Sequence, residues 1–264
     1  ASGAVALLVL IFLFLVTESR LAVTEGHWLR SINTPGWFPS EGQFNLWPML
    51  LATLLATLGA LILAVPMGIA SAFFVSFFAP ARLATVFRRL LMLLAGIPSV
   101  VYGLWGLTVL VPLIAQLAPP GASLLSAILI LAIMILPTIA LTSDAALRAV
   151  PVSYWRGGQA LGLSAQAILL KIAVPAARSG ILTGVLLATT RALGETMAVL
   201  MVAGNVVQVP GSIFDSVRVL TANIALEMAY ATDAHRASLY VSSLLLTLVV
   251  VAIVCLGRQV EARP

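Results

Sequence analysis

The chain has 264 residues, of which 61% are hydrophobic and only 9% are charged, and its mean hydropathy is +1.13. Soluble globular proteins are about 45–50% apolar and about 25% charged, so this composition excludes a soluble domain and indicates an integral membrane protein. The net charge of +5 does not indicate nucleic-acid binding, because no basic cluster is interleaved with aromatic residues.

The long apolar runs predict an all-α, polytopic membrane bundle of about six helices. The first run, residues 3–16, is expected to be a membrane helix whose cytoplasmic start precedes residue 1. A cleaved signal peptide is the alternative, although no small-residue cleavage site follows the run. The other predicted spans cover residues 48–79, 90–117, 124–141, 180–205 and 237–257.

Proline is expected to bend or break three of these predicted spans. Pro66 is expected to bend the second helix. Pro98 and Pro137 are expected to break the helices that contain them, because proline removes a backbone hydrogen bond. Such breaks are tolerated in membranes where neighbouring helices or water satisfy the freed carbonyl.

The distribution of basic residues predicts which side of the membrane each loop occupies. Arginine and lysine are enriched in cytoplasmic loops of membrane proteins. Six spans place both termini on the same side, and this face has nine basic residues against four on the other, so both termini are predicted to be cytoplasmic. The nine are Arg82, Arg88, Arg89, Arg148, Arg156, Lys171, Arg178, Arg258 and Arg263.

The cytoplasmic segment 142–179 has an unusual number of apolar residues for a loop. Asp144 is predicted to cap a short helix that Pro151 ends, and a second helix is predicted over residues 152–161. After a turn at Gly162, Ser164 is predicted to cap a third helix over residues 165–172. The apolar side chains of the segment form either a docking surface for a partner or a face that packs on the chain itself. They are Ala160, Leu161, Ala167, Ile168, Leu169 and Ile172.

The predicted span 180–205 is the most informative, because it carries Arg191 and Glu195 within an apolar run. A charge at the centre of a bilayer costs about 2.5–3.5 kcal/mol on insertion scales, so such residues usually face protein or water. A spacing of four residues places the two side chains on one helix face. The pair is either a polar point on a solute pathway or a structural ion pair. The second interpretation is favoured by a nearby small-residue packing face, Gly180, Gly184 and Ala188.

Other reactive residue types carry little functional signal. His27 and His235 are far apart in sequence and lack acidic neighbours at ligand spacing, so no metal site is expected. Cys255 is the only cysteine, which excludes an intrachain disulfide. No glycine loop of the Walker type occurs, so the chain is not expected to be an enzyme that hydrolyses ATP.

The segment 156–175 resembles the coupling loop of ABC importer permeases, written EAA-x3-G-x9-I-x-L-P. Gly162, Ile172 and Pro175 match the pattern, while Val174 stands for the leucine. The stretch Arg156-Gly157-Gly158 occupies the positions of the Glu-Ala-Ala triplet. Residues 96–107, 132–151, 191–205 and 220–229 are similar to the PstC-type permease subunit of the phosphate-specific ABC importer, in the binding-protein-dependent transport permease family.

This resemblance implies a MetI-like ABC permease fold and a role as the channel-forming subunit of an ATP-driven phosphate importer. Residues 1–47 would form the first membrane helix and a periplasmic loop, and residues 48–264 the permease core with its coupling loop at 142–179. Arg191 and Glu195 fall on the Arg and Glu that the family needs for transport. The ATPase would contact the coupling loop, at Tyr154, Arg156, Gly157, Gly158, Ala160, Leu161, Gly162, Ile172 and Pro175.

The resemblance also implies partners. They are a second, PstA-type permease, a PstB-type ATPase dimer that binds ATP and Mg²⁺, and a PstS-type periplasmic phosphate-binding protein, with the lipid bilayer around the permeases. This chain itself would bind no cofactor and no nucleic acid. Two alternatives are an ion-coupled secondary anion transporter and an ABC permease for another oxyanion, such as sulfate or phosphonate. A structural membrane protein that keeps the Arg/Glu pair for packing is a third.

Overall fold

The computed structural model of the chain describes residues 2–24 and 36–261. His27 lies outside these ranges. Helix α1 (Ser2–Thr24) contains the first predicted span and extends eight residues beyond it. Its side chains from residue 6 to residue 14 are exposed and apolar, as expected of a helix surrounded by lipid.

A short hairpin precedes the second helix. Strands β1 (Trp37–Phe38) and β2 (Gln43–Phe44) are antiparallel, with Trp37 opposite Phe44. Gly42 closes the turn with a φ of +69°, a conformation that favours glycine because it has no Cβ.

Helix α2 (Trp47–Phe73) continues into a π-helical turn over Phe74–Phe78, so the second predicted span is confirmed almost to the residue. Its backbone remains helical through Pro66. The turn ends at Ala79, which is extended, as expected of a residue that precedes proline.

The stretch predicted as a span over residues 90–117 begins earlier, at Ala81, and it is broken at Pro98 as predicted. Helix α3 (Ala81–Gly96) ends before Pro98, and α4 (Ser99–Trp105) begins after it. Ile97 is extended because the proline ring disfavours a helical conformation in the preceding residue. A π-helical turn then connects α4 to a short further helix, α5 (Val111–Ala115).

Helix α6 (Leu124–Arg148) runs seven residues beyond its predicted end. Two predictions fail here. Pro137 lies inside the continuous helix and does not break it, and Asp144 lies within the last turns of α6 instead of capping a separate short helix. About 61% of the most apolar part of this helix is buried inside the protein, and this packing outweighs the one hydrogen bond that Pro137 cannot make. The helix does end just before Pro151, as predicted.

The coupling segment contains α7 (Val152–Ala160) and α8 (Ala165–Ile168), with Gly162 between them at a φ of +73°. Ser164 caps α8 by accepting a hydrogen bond from Ala167 N–H, as predicted. The predicted stop after residue 172 is wrong. A π-helical turn over Leu169–Ala173 leads directly into α9 (Val174–Gly194), because the wider turn and the start of α9 accommodate Pro175.

The prediction of one helix over residues 180–205 is also wrong. Helix α9 ends at Gly194 and α10 (Met197–Val202) follows, with Glu195 and Thr196 between them. Glycine has a low helix propensity, and the Glu195 carboxylate bonds to the first turn of α10. The predicted loop 208–236 contains helix α11 (Leu220–Glu227), and the last helix, α12, spans Asp233–Glu261.

Four of the described helical stretches are long and apolar enough to cross a membrane. Counting α3 and the helices after it as one broken span gives up to five. The chain is therefore an all-α, multi-pass membrane protein, and the predicted count of about six is approximate. The four stretches are Trp47–Phe78, Leu124–Arg148, Ala165–Gly194 and Asp233–Gln259.

The chain forms two compact units. The first comprises Ala1–Thr57, Ser99–Ile130 and Leu193–Ala252, and its core includes Trp37, Met49, Leu220 and Leu239. The second comprises Leu58–Pro98, Leu131–Ala192 and Ile253–Pro264. Its core joins α2, α6 and the α8–α9 stretch through Ala72, Leu147, Leu169, Ala173 and Ile181.

Candidate functional site

The helix break after α9 separates the two charged residues that the sequence places in one span. Arg191 lies in the last turn of α9, and Glu195 is the first residue after that helix. The expectation that both occupy the middle of one continuous helix is therefore corrected. Discontinuous helices are common at the substrate sites of membrane transporters, where helix ends supply partial charges for ions.

Each charge occupies the helix end that favours it. The last turn of a helix carries partial negative charge from its free carbonyl groups, which stabilises the Arg191 cation. The first turn of a helix presents free N–H groups, and Glu195 Oε1 accepts a hydrogen bond of 3.1 Å from Ala198 N–H. The Glu195 backbone carbonyl accepts another, of 2.7 Å, from the Thr221 hydroxyl.

Arg191 has a neutral hydrogen-bond partner. Its Nη1 donates to Thr138 Oγ1 on α6 at 3.3 Å. The described ion pairs of the same compact unit join Arg88 and Arg148 to Asp144, and Arg191 takes part in none of them. A hydroxyl accepts a hydrogen bond but carries no charge, so it does not neutralise the guanidinium. Arg191 is half-buried, and this contact leaves its positive charge without neutralisation.

The small-residue face of α9 packs against α6. A Cβ built on Gly180 would lie 2.6 Å from Ala146 Cβ, and one on Gly184 would meet the Thr142 hydroxyl. Ala188 on the same face is fully buried. This face keeps α9 close to the helix that carries Thr138, which is the arrangement expected of small residues between membrane helices.

One side of the coupling segment packs against the rest of the second unit. Gly158 is buried, and a Cβ at that position would lie 2.8 Å from Ile168 Cγ1. Trp155 packs on Phe77 with ring centroids 5.0 Å apart. The predicted apolar surface is therefore divided, because Ile168 and Leu169 face the core.

The other side of α7 and its flanking turns is exposed. Tyr154 and Leu161 are exposed, the latter at 80% of its full area. Five more residues that the resemblance assigned to the ATPase contact are exposed: Arg156, Gly157, Ala160, Gly162 and Pro175. Ile172 is half-buried. One side of the segment thus packs on the chain itself, while the other side is exposed and its role as a docking surface stays a prediction.

Asp144 is the centre of an ion-pair cluster that the sequence analysis missed. Its side chain is 2% exposed and accepts hydrogen bonds from Arg88 Nε at 2.9 Å and Arg88 Nη2 at 3.0 Å. Ser76 Oγ donates to the same carboxylate at 2.7 Å, and Arg148 pairs with it at 2.8 Å. The available signal was Asp144 itself, the first charged residue after the charge-free stretch 90–143, since a buried charge requires partners.

A second cluster surrounds Glu227, which sequence reasoning treated only as a loop residue. The buried Glu227 carboxylate accepts hydrogen bonds from Arg218 Nη1 at 2.6 Å and Trp37 Nε1 at 2.7 Å. His235 Nε2 lies 2.8 Å from the same group. Arg218 also donates to Asn223 Oδ1 at 3.0 Å. These bonds tie the hairpin, α11 and the start of α12 together. Among the described residues, no group of three or more His, Cys, Asp or Glu side chains is placed to hold a metal ion.

Solved structures show the class of this fold. The methionine ABC transporter MetNI, in an inward-facing conformation, superposes with a TM-score of 0.63 over 82% of this chain and 92% of that chain, at 18% identity. An amino acid ABC transporter gives a TM-score of 0.61 over the same shares. The chain thus has the fold of ABC importer permeases, as the resemblance implied.

The family is shown by sequence. Residues 64–263 match the family described as "Binding-protein-dependent transport system inner membrane component", and the chain belongs to this family. It is 40% identical to the probable ABC transporter permease protein YqgH of Bacillus subtilis, over 80% of this chain and 68% of that protein. It is 32% identical to the phosphate transport system permease protein PstC of Mesorhizobium japonicum, over 98% of this chain and 88% of that protein. The predicted similarity to PstC-type permeases is confirmed.

Proposed function

We propose that this chain is the channel-forming subunit of an ATP-driven phosphate importer, which passes inorganic phosphate from a periplasmic binding protein to the cytoplasm. The observation that carries the proposal is Arg191, a guanidinium whose described partner in its own unit is the neutral hydroxyl of Thr138. Phosphate is proposed as the anion because relatives that are similar over most of both chains are named as phosphate transport permeases.

The chemistry of Arg191 suits a tetrahedral oxyanion. A guanidinium is planar and permanently charged, and its five N–H donors match the spacing of phosphate oxygens. Phosphate exchanges part of its hydration shell for these donors as it passes. Glu195 is the second charged residue that we propose for transport, because the resemblance places it on the glutamate that the family needs.

The energy for transport comes from partner subunits in this proposal. A second permease completes the pathway, and an ATPase dimer that binds ATP and Mg²⁺ drives it, while this chain binds no cofactor. The exposed side of α7, with Tyr154 and Leu161, is the surface offered to the ATPase. In this proposal the surface and both termini lie in the cytoplasm, at the inner membrane, because basic residues are enriched in cytoplasmic loops.

Helix continuity provides the path from the coupling segment to Arg191. The stretch Ala165–Gly194 is helical without a gap, and Arg191 lies in its last turn. At the other end, α7 packs on this stretch through Gly158. A displacement of α7 therefore reaches Arg191 through one rigid element, within one compact unit.

Phosphate uptake by the assembled transporter tests the proposal. Arg191→Gln keeps a polar side chain but removes the charge, and we expect it to lower the initial uptake rate at least about tenfold. Glu195→Gln is expected to slow turnover by a similar factor. Arg89→Gln is the matched control, because Arg89 is exposed on α3. Normal uptake by both variants would exclude the proposed role of the pair.

The same assay separates this proposal from its alternatives. Uptake by this chain without any ATPase subunit would identify an ion-coupled secondary transporter instead. Preferential uptake of sulfate or phosphonate would keep the permease role and change the anion. Binding of no anion in any state would leave Arg191 and Glu195 with a purely structural role.

A further inference from the structure

Thr138 differs from most of the described threonines on the long helices. Threonine hydroxyls in helices commonly donate back to a carbonyl three or four residues earlier. Thr142 donates to Thr138 O at 2.7 Å and Thr189 to Val185 O at 2.8 Å. Thr138 Oγ1 instead accepts a hydrogen bond, from Arg191 Nη1.

The hydroxyl hydrogen of Thr138 is consequently not committed to the backbone. A hydroxyl has one donor and two acceptor positions, and only an acceptor position is used within the part of the chain that the structure describes. Arg191 likewise uses one of its five N–H donors there. Two adjacent side chains thus hold unused donors at a half-buried position on α6 and α9.

We propose that Thr138 and Arg191 together form one oxyanion subsite, in which the hydroxyl holds the guanidinium in place and donates to an oxygen of the same anion. The proposal rests on the transport function proposed above and adds a second residue to it. The hydroxyl orients the guanidinium, because an arginine held from one side presents its remaining N–H donors in a fixed orientation. It also replaces part of the hydration shell of the anion.

Close helix packing maintains this geometry. Gly180 and Gly184 bring α9 against Ala146 and Thr142 of α6, so Arg191 reaches Thr138 across a narrow helix interface. Pro137 immediately precedes Thr138 and lacks an N–H, but α6 remains helical through it. Thr138 therefore has a fixed place on a regular helix.

Three isosteric or conservative variants test the proposal in the assembled transporter. Thr138→Val keeps the shape of the side chain and removes the hydroxyl. Thr138→Ser keeps the hydroxyl and removes the methyl group. Thr183→Val is the control, because Thr183 is an exposed threonine on α9 whose hydroxyl donates to the Ser179 carbonyl. We expect Thr138→Val to lower the initial rate of radiolabelled phosphate uptake about tenfold, with Thr138→Ser and Thr183→Val within about twofold of the unaltered protein.

The outcomes separate this proposal from the transport function. If Thr138→Val transports at the unaltered rate while Arg191→Gln is inactive, the subsite is wrong and the function stands. If Arg191→Gln also transports normally, the role proposed for Arg191 is wrong, whereas phosphate uptake that persists without this chain would overturn the function itself. A loss with Thr138→Ser but not with Thr138→Val would assign Thr138 a packing role and overturn the proposal. The amount of each variant in the membrane is measured, and Thr138→Ala replaces Thr138→Val if the latter does not insert.

Discussion

The guanidinium of Arg88 holds both carboxylate oxygens of Asp144, through Nε at 2.9 Å and Nη2 at 3.0 Å. This bidentate pair joins α3 to the end of α6, just before the chain enters the coupling helix α7. Removing Arg88 leaves the buried Asp144 carboxylate with the more exposed Arg148 as its described charged partner, and a poorly compensated buried charge costs more than the pair itself contributes.

We therefore expect Arg88→Ala to lower the free energy of unfolding by about 3 kcal/mol, measured by thermal unfolding in detergent. Arg89→Ala is the control. Arg89 is an exposed neighbour on the same helix, and its replacement is expected to change stability by less than about 0.5 kcal/mol. Replacing both Arg88 and Asp144 by leucine is expected to cost less than Arg88→Ala, because no charge is left buried. Equal losses for the arginine variants would contradict this account.

The Glu227 cluster makes a second stability prediction. Glu227→Gln removes the negative charge that faces Arg218 and His235, and we expect a loss of about 3 kcal/mol and a lower Tm. Glu41→Gln, on the exposed turn of the hairpin, is the matched control and is expected to be nearly neutral. A Tm for Glu227→Gln equal to that of the control would show that the cluster contributes little.

The two adjacent glycines of α7, Gly157 and Gly158, have different surroundings. Gly157 is exposed and nothing lies within 4 Å of a Cβ added there, so Gly157→Ala is expected to raise stability by up to about 1 kcal/mol through helix propensity. Gly158→Ala would place a methyl 2.8 Å from Ile168, and the overpacking is expected to cancel or exceed that gain. Tm values of the two single variants measure the difference. Equal gains would show that α7 is not seated on Ile168.

The exposed leucine after α7 tests the partner surface. Leu161 and Leu117 are exposed to nearly the same degree, 80% and 79%, but Leu117 lies at the end of the predicted span 90–117, on the side of the membrane opposite the coupling segment in the predicted topology. We expect Leu161→Asp to reduce co-purification of the ATPase subunit at least about tenfold, because a charge replaces an apolar contact. Leu117→Asp is expected to retain it. Loss with both variants would indicate general misfolding instead of a local contact.

Several elements were predictable because the signal lies in consecutive residues. The extent of α2 follows from an uninterrupted apolar run, and the Ser164 cap follows from a polar residue before a helix. The break at Pro98 was predicted for the same reason, since proline restricts its own neighbour. Failures arose where packing outweighs local preference, as at Pro137, which stays inside a helix supported by its neighbours on both sides.

The partners of the charged residues were not predictable. Arg191 and Glu195 suggest a pair by their spacing, yet Arg191 bonds to Thr138, 53 residues earlier, and Glu195 bonds to the next helix. Asp144 and Arg88 are separated by 56 positions, and Trp37 and Glu227 by 190. Nothing in the sequence near either residue marks the other.

Sequence alone determined that this protein lies in a membrane, where its apolar runs are helical, and which family its coupling segment and Arg191 region resemble. These properties follow from composition and from interactions between residues close in the chain. The bilayer requires every backbone polar group to be hydrogen-bonded within the protein, so an apolar run in it becomes a helix. Tertiary structure decided where helices stop, which side of α7 is buried and which group each charge meets. Those outcomes depend on side chains brought together by packing over long sequence separations, which local preferences do not encode.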